Sequence, residues 1–323
     1  MNRTQQILAA ILILQILVVG GVFWATSPQD VAAGPLLPGY NAEHVSRITI
    51  TDNTGNIVKM ARQDEGWVLP DADDFPIDSE KATTLLENLA AISTSRPVTS
   101  TAASHERLQV AENDYAKKVE IEADNKLYFL FVGSSPRSNA THVRLLGQDK
   151  VFLTGDISGW DVQAQASSWI DVTLLSVPVD EITNLRLTNQ HGQFELSMDG
   201  DNWIVDGVDA PGSEEQFNQT NLRALISQAS NIRIVEPLGK TELSDYGLDN
   251  PSAIVAFTQN NDLSGEKAFE IQIGAKGDDN NYIVISSESD YYVKISGTFL
   301  DKFVNGSRGD FIGPVPTPTS VFQ

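Results

Sequence analysis

The chain contains no cysteine among its 323 residues. That excludes disulfides, thiolate metal sites, a thiol nucleophile and a lipid-modified cysteine. Basic side chains are few: 22 Lys and Arg stand against 43 Asp and Glu, a formal net charge of -21. A surface that gathers phosphate backbone needs the opposite balance, so nucleic acid is not an expected partner. Histidine is scarce as well. His44, His105, His142 and His191 have no second histidine three or four positions away, so neither HExxH nor a comparable zinc arrangement exists. The phosphate-cradling GxxxxGK(S/T) loop and the GxGxxG turn are missing too. Gly133-Ser134-Ser135-Pro136 lacks the nucleophile elbow GxSxG, and Lys294-Ile295-Ser296-Gly297 has lysine where its first glycine belongs. No catalytic residue, metal ligand or cofactor is expected from these patterns, and hydrolysis of ATP would fall to a partner.

What the chain does have begins with Ile7 to Ala25, a 19-residue stretch whose one strongly polar member is Gln15. At 1.5 Å rise per residue a helix of that length crosses a hydrocarbon core of about 30 Å. The stretch has no polar face, which a buried soluble helix would show, and it is longer than the apolar region of a cleaved signal. The small residues Ala25, Thr26 and Ser27 leave cleavage open. Arg3 precedes the span, while Thr26 to Tyr40 holds Asp30 and no Lys or Arg. By the positive-inside rule, residues 1–6 form a cytoplasmic tail, residues 7–25 a single transmembrane helix in contact with lipid, and the bulk of the chain lies outside the cytoplasm. Residues 26–44 read as a linker and residues 313–323, rich in Pro and Thr, as a tail.

Between these ends the chain repeats. Ile48, Ile50, Thr51 and Gly55 meet Leu185, Leu187, Thr188 and Gly192 at a constant offset of 137. Trp67 meets Trp203, Leu85 meets Leu222, Arg96 meets Arg233, Gly133 meets Gly274 and Asp171 meets Asp310, with the offset drifting between 136 and 141. Ordered matches of this kind predict two copies of one domain, residues 45–175 and 180–312. Each copy has the same local grammar. Val45 to Thr51 alternates as a strand, Asp52 to Asn56 turns, and Ile57 to Met60 returns. A helix capped by Asp78 or Ser79 then presents Ala82, Leu85, Leu86, Leu89 and Ile92 at three- and four-residue steps, and its counterpart presents Leu222, Leu225, Ile226 and Ala229. Short strands at 119–121, 127–132, 142–146 and 151–153 follow, joined by connections too brief for parallel crossovers. The fold class is therefore α+β: two tandem antiparallel β-meander domains, each with one main helix.

The second copy contains Leu243-Ser244-Asp245-Tyr246-Gly247-Leu248-Asp249-Asn250-Pro251, then an alternating strand, Ala253 to Phe257, then Ile271-Gln272-Ile273-Gly274. With Trp203 upstream and the helix between, this resembles the bacterial family known as domain of unknown function 4340, from about Val45 to Phe311. The first copy departs from the Tyr-Gly-Leu-x-x-Pro element, reading Arg107-Leu108-Gln109-Val110-Ala111-Glu112-Asn113-Asp114; glycine and proline are absent, leaving room for a different turn. The resemblance implies a membrane-anchored accessory of ABC-type export systems similar to gliding-motility transporters, with transporter subunits as partners. It supplies no catalytic residues.

Other features have a bland reading beside a sharper one. Asp71 to Asp78 is acidic like a calcium loop, but Pro76 and Ala82 occupy the places of its glycine and glutamate, so a solvated loop leading to a helix cap is expected. Asp278-Asp279-Asn280-Asn281 reads as a hairpin turn, and His142 as an interfacial ring on a strand. The matched residues Trp67 and Trp203, and Arg96 and Arg233, would let each copy present an aromatic and a cation to a ligand, or else cover the sheet and pair locally. Asn139, Asn218 and Asn305 begin glycosylation patterns. The functional expectation is a non-catalytic binding or scaffolding protein outside the cytoplasm. The alternatives are a cell-envelope hydrolase using paired carboxylates between the two copies and, from the Pro/Thr tail, a passive surface protein.

Overall fold

The computed structural model describes residues 14–18, 33–64, 66–206, 215–261 and 265–314. Of the apolar stretch 7–25 only residues 14–18 are among them; they are helical, and Leu14, Ile16, Leu17 and Val18 are exposed. The rest of that stretch, residues 26–32 of the linker and residues 315–323 of the Pro/Thr tail lie outside the described residues. Among the described residues no helix is long and apolar enough to cross a membrane.

The architecture is mostly antiparallel sheet with a few helices. The first half runs β1 (Val45–Asp52), β2 (Ile57–Gln63), β3 (Gly66–Leu69), β4 (Phe75–Pro76), α1 (Ser79–Ala91), β5 (Pro97–Thr99), β6 (Lys117–Ala123), β7 (Lys126–Val132), β8 (Thr141–Leu145) and β9 (Val151–Thr154). A further strand, β10 (Thr173–Ser176), leads into the second half. That half runs β11 (Ile182–Asn189), β12 (Gly192–Asp199), β13 (Asn202–Val205), β14 (Glu215–Phe217), α2 (Gln219–Ser230), β15 (Asn231–Arg233), β16 (Glu236–Gly239), β17 (Ala253–Asn261), β18 (Gly265–Lys276), β19 (Asn281–Ser286) and β20 (Tyr292–Ser296), then α3 (Gly297–Asn305), α4 (Arg308–Phe311) and β21 (Ile312–Pro314).

The nine-stranded sheet is ordered β4-β3-β2-β1-β6-β7-β8-β9-β5 and the eight-stranded sheet β13-β12-β11-β17-β18-β19-β20-β16. Apart from β4, the two are threaded alike. Register agrees as well: Ile48 faces Ile121 and Ile50 faces Val119 in the first sheet, while Leu185 faces Phe257 and Leu187 faces Val255 in the second. Period-two alternation sends Ile48, Ile50 and Asp52 of β1 inward, and Val45, beyond a register shift at Arg47, is buried as well. Asp124 and Asn125, both at positive φ, make the two-residue turn between β6 and β7 that matches the twist of a hairpin.

Both expected helices form as the apolar spacing requires. Asp78 caps α1, its carboxylate accepting from the Glu80 amide at 3.1 Å, and Asn218 caps α2 by accepting from the Asn221 amide at 3.2 Å. Ala82, Leu85, Leu86 and Leu89 of α1 and Leu222, Leu225, Ile226 and Ala229 of α2 are buried, each leucine contributing about 2 kcal/mol. The amide of each cap residue also donates to a carbonyl far along the chain: Asp78 to Trp169 at 2.8 Å, and Asn218 to Phe311 at 2.7 Å. Each half thus closes on the start of its own helix. The helix α3 is an addition without counterpart in the first half; it buries Leu300, Phe303 and Val304, and the carbonyls of Phe303 and Gly306 accept from Asn189 at 2.9 Å. Where the second half has α3 and α4, the first has a loop, residues 155–172, that buries Val162, Ala164, Trp169 and Ile170. The Asp171 to Asp310 match does not extend to function: Asp171 accepts from the Thr173 amide, whereas Asp310 completes a capping box with Ser307.

One expectation is corrected here. The Tyr-Gly-Leu turn is kept in the first half despite the missing glycine. Gln109 adopts φ 56 where Gly247 adopts φ 67. Leu108 lays its carbonyl on Gly133 as Tyr246 lays its carbonyl on Gly274. A glutamine can hold that conformation because the surrounding bonds fix it, with the Gln109 carbonyl accepting from Ala116 and its amide donating to Glu106; the local cost is about 1 kcal/mol.

Candidate functional site

Most buried apolar residues of both sheets form one contiguous cluster, from Leu36 to Phe311, while Phe131 of β7 and Val151 of β9 join Leu108 and Val110 in a separate small one. Three sets of contacts hold the halves together. Backbone pairing joins β10 to β15, extended by the Ile234 amide donating to Val172 and the Val177 amide donating to Ser230. The acidic loop before α1 supplies the second. Asp73 and Asp74 turn at positive φ, and the Asp73 carboxylate accepts from the amides of Lys240 at 2.7 Å and Thr241 at 3.3 Å. Gly239 fits beneath it, since a Cβ there would come within 2.6 Å of Asp73 Oδ2. The third is aromatic: Phe75 packs edge-on against Tyr291 with centroids 4.7 Å apart, the Tyr291 hydroxyl donates to the Asp74 carbonyl, and the Lys240 ammonium lies 4.6 Å from the Tyr291 ring. Replacing Asp73 with alanine is expected to cost about 1 kcal/mol, and to speed hydrogen exchange at the Lys240 and Thr241 amides more than elsewhere. Unchanged exchange at those two amides would show that the contact is absent in solution.

Beside this junction two grooves meet along α1. One, of about 660 Å³, runs between the halves past Phe75, Ile77, Asp171, Val172, Ile234 and Glu288. The other, of about 370 Å³, lies between α1 and the loop carrying Trp160, and Asp78 and Lys81 border both. Trp160 is 86% exposed. The turn beneath it is nonetheless fixed: Asp161 Oδ2 accepts from the Ser158 amide at 2.8 Å and the Ser158 hydroxyl at 2.7 Å, and the Trp160 amide donates to that hydroxyl. An indole displayed on a locked turn at the mouth of a groove is the outstanding surface feature of the molecule. Asp171, in the neighbouring groove, is held below the ordinary carboxylate range by hydrogen bonds from the Thr173 amide and hydroxyl, with Arg233 and Lys81 adding to the effect. The displaced carboxylates elsewhere, Asp52, Glu181, Glu195 and Asp279, are displaced downward as well.

The residues singled out from the sequence are distributed otherwise. Trp67 and Trp203 are both buried, the first under the Arg62 guanidinium, the second between backbone bonds to Gln219. Arg96 and Arg233 are exposed at strand ends; with both tryptophans buried, neither half presents an indole face beside its arginine. His44 pairs with Asp124 at 2.9 Å, His105 bonds the Asp149 carbonyl at 2.9 Å, and His142 bonds the Ser134 carbonyl at 2.8 Å. Among the described residues no group of three or more His, Asp or Glu is placed to hold a metal. Asp279 sits in the β19 hairpin turn and, with Glu236, holds Lys294; burial pulls the pKa of that lysine down, but the two carboxylates outweigh it and hold it above the ordinary value. Asp71 pairs with Lys59 on the surface. The residues that periodicity did not mark are Trp160 and Asp73. A signal for the first existed: a tryptophan amid turn formers, Ser158-Gly159-Trp160-Asp161, with no matching tryptophan in the second half.

The family model described as Domain of unknown function (DUF4340) matches residues 67–251, from β3 of the first sheet through the Tyr246-Gly247-Leu248 turn to Pro251. No curated protein and no solved structure matches the chain. With more than half its length so covered, and the Gly274 contact that the motif makes in place, the chain belongs to the DUF4340 family.

Proposed function

We propose that the chain is a membrane-anchored, extracytoplasmic binding or scaffolding protein without catalytic activity. It would consist of two copies of one sheet-and-helix unit and serve as an accessory of an ABC-type export system. The like threading of the two sheets, the matching helix caps and the two equivalent turns support duplication. The unbroken apolar stretch 7–25, with Arg3 before it, supports the anchor and its orientation. The observation that carries the binding reading is Trp160, bare on a locked turn beside a groove at a clasped junction. A module that orients a partner needs such rigidity, because every degree of freedom lost on binding subtracts from affinity. The hydrolase alternative would need a carboxyl held protonated near neutral pH beside an ionised one. Asp171, bordering the junction groove, is held in the opposite direction by Thr173, which supports the binding reading. The test is purification of the tagged full chain from its own membranes in mild detergent. A membrane partner in stoichiometric amount is expected; its absence from repeated preparations would refute the scaffold role.

A further inference from the structure

We propose that the groove between α1 and the Trp160 turn is a subsite for a neutral saccharide, bound with one face of a sugar ring against the indole. The proposal rests on the binding reading above and names its ligand class. Three properties of the groove select that class. Trp160 offers a flat apolar face with its backbone already fixed by Ser158 and Asp161, so a C–H face can stack on it without ordering the loop. Opposite it, Glu80, Thr84 and Asn88 follow at four-residue steps and share one stripe of α1. Among the described residues, the side chains of Thr84 and Asn88 have no hydrogen-bond partner within the chain. Their hydroxyl and amide are free to donate to and accept from ring hydroxyls.

Charge and hydrogen-bonding capacity together narrow the competing classes. Asp78, Glu80 and Asp161 border the groove and repel phosphate and carboxylate ligands. Lys81, its ammonium donating to the Ile170 carbonyl, is a single positive charge beside those three carboxylates, so charge does not exclude a cation; the Asn88 amide N–H groups need an acceptor, which a ring hydroxyl supplies and an ammonium does not. An uncharged ligand with one apolar face and a rim of hydroxyls satisfies both conditions. The volume, 370 Å³, lies within the range of small-molecule sites.

The experiment uses the full chain, labelled with 5-fluorotryptophan, in a detergent without a sugar headgroup. Fluorine NMR resolves the five tryptophans, and the W160F variant identifies the Trp160 resonance. Maltotriose, cellotriose, chitotriose and an uncharged hexapeptide are titrated separately. At least one trisaccharide is expected to shift the Trp160 resonance at millimolar concentration. Calorimetry should then show W160A weakening binding about tenfold and N88A several-fold. Because Trp160 is exposed, W160A should keep the unfolding midpoint of the parent, which confirms that lost binding is not lost folding. The proposal is overturned if no trisaccharide shifts Trp160 by about 20 mM, if W160A binds as the parent does, or if the hexapeptide moves the resonance and the sugars do not. Co-purification of a membrane partner is scored independently with W160A, so the scaffold reading and the saccharide subsite stand or fall separately.

Discussion

Gly274→Ala is expected to lower the unfolding free energy by about 3 kcal/mol, and Gly133→Ala by a similar amount. A Cβ at 274 would stand 2.1 Å from the Tyr246 carbonyl oxygen, and one at 133 would stand 2.2 Å from the Leu108 carbonyl oxygen. Backbone, unlike a flexible side-chain tip, cannot step aside cheaply. To make room, the turn must lift from β18 or β7, each of which is paired on both sides within its sheet. Lifting it would also loosen what the turn buries, Tyr246 in one half and Leu108 and Val110 in the other. Urea unfolding followed by far-ultraviolet circular dichroism measures the effect. A change below about 0.5 kcal/mol for either variant would mean that the close approach is not a feature of the folded chain.

The second large effect concerns Asp52 and depends on pH. Its side chain is 5% exposed, and its carboxylate accepts from the amides of Thr54 and Asn56, the Thr54 hydroxyl and the Asn56 side-chain amide, with Lys117 Nζ 3.5 Å away. Burial pushes its pKa up, but the hydrogen bonds to the charged form outweigh burial and hold it well below the ordinary carboxylate range. A group depressed in the folded state stabilises that state fully above its unfolded pKa, about 3.9, and loses the contribution as pH falls toward the folded value. Asp52→Asn, which turns a donor toward donors, should therefore cost about 2 kcal/mol at neutral pH. Its stability should then fall less steeply than the parent's below about pH 4. Parallel pH profiles of the two proteins would rule out this role for Asp52. The corresponding Asn189 is at home in the second half because it faces carbonyls, those of Phe303 and Gly306, as well as the His191 amide.

These two cases also show what a single sequence discloses. The strands and both main helices were legible because alternation in Val45 to Thr51 and the three-to-four spacing of Leu85, Leu86 and Leu89 are local consequences of burying one face. The turn at Gln109 was not, since a side chain says nothing about the φ that long-range bonds impose on it. The helix α3 leaves no comparable mark, because Gly297 opens it and nothing in the first half corresponds to it. Asp73 reads as a solvated acid; only the arrival of Lys240 and Thr241, 167 and 168 positions later, makes it a clasp. Of the candidate site, the exposed face of Trp160 was the least accessible to sequence reasoning. Tryptophan is usually a core residue, and Trp67, Trp169 and Trp203 obey that rule.

The paired cap bonds bear on biosynthesis. From Asp78 to Trp169 the chain travels 91 positions, and from Asn218 to Phe311 it travels 93, before the amide that starts each helix meets its acceptor. A nascent chain emerging amino end first must therefore hold each half open until almost all of it has been made. Such late closure places both halves among slow-folding, non-local topologies. Stalling between residues 92 and 168 would leave the Asp78 amide at the start of α1 without the Trp169 carbonyl that accepts from it.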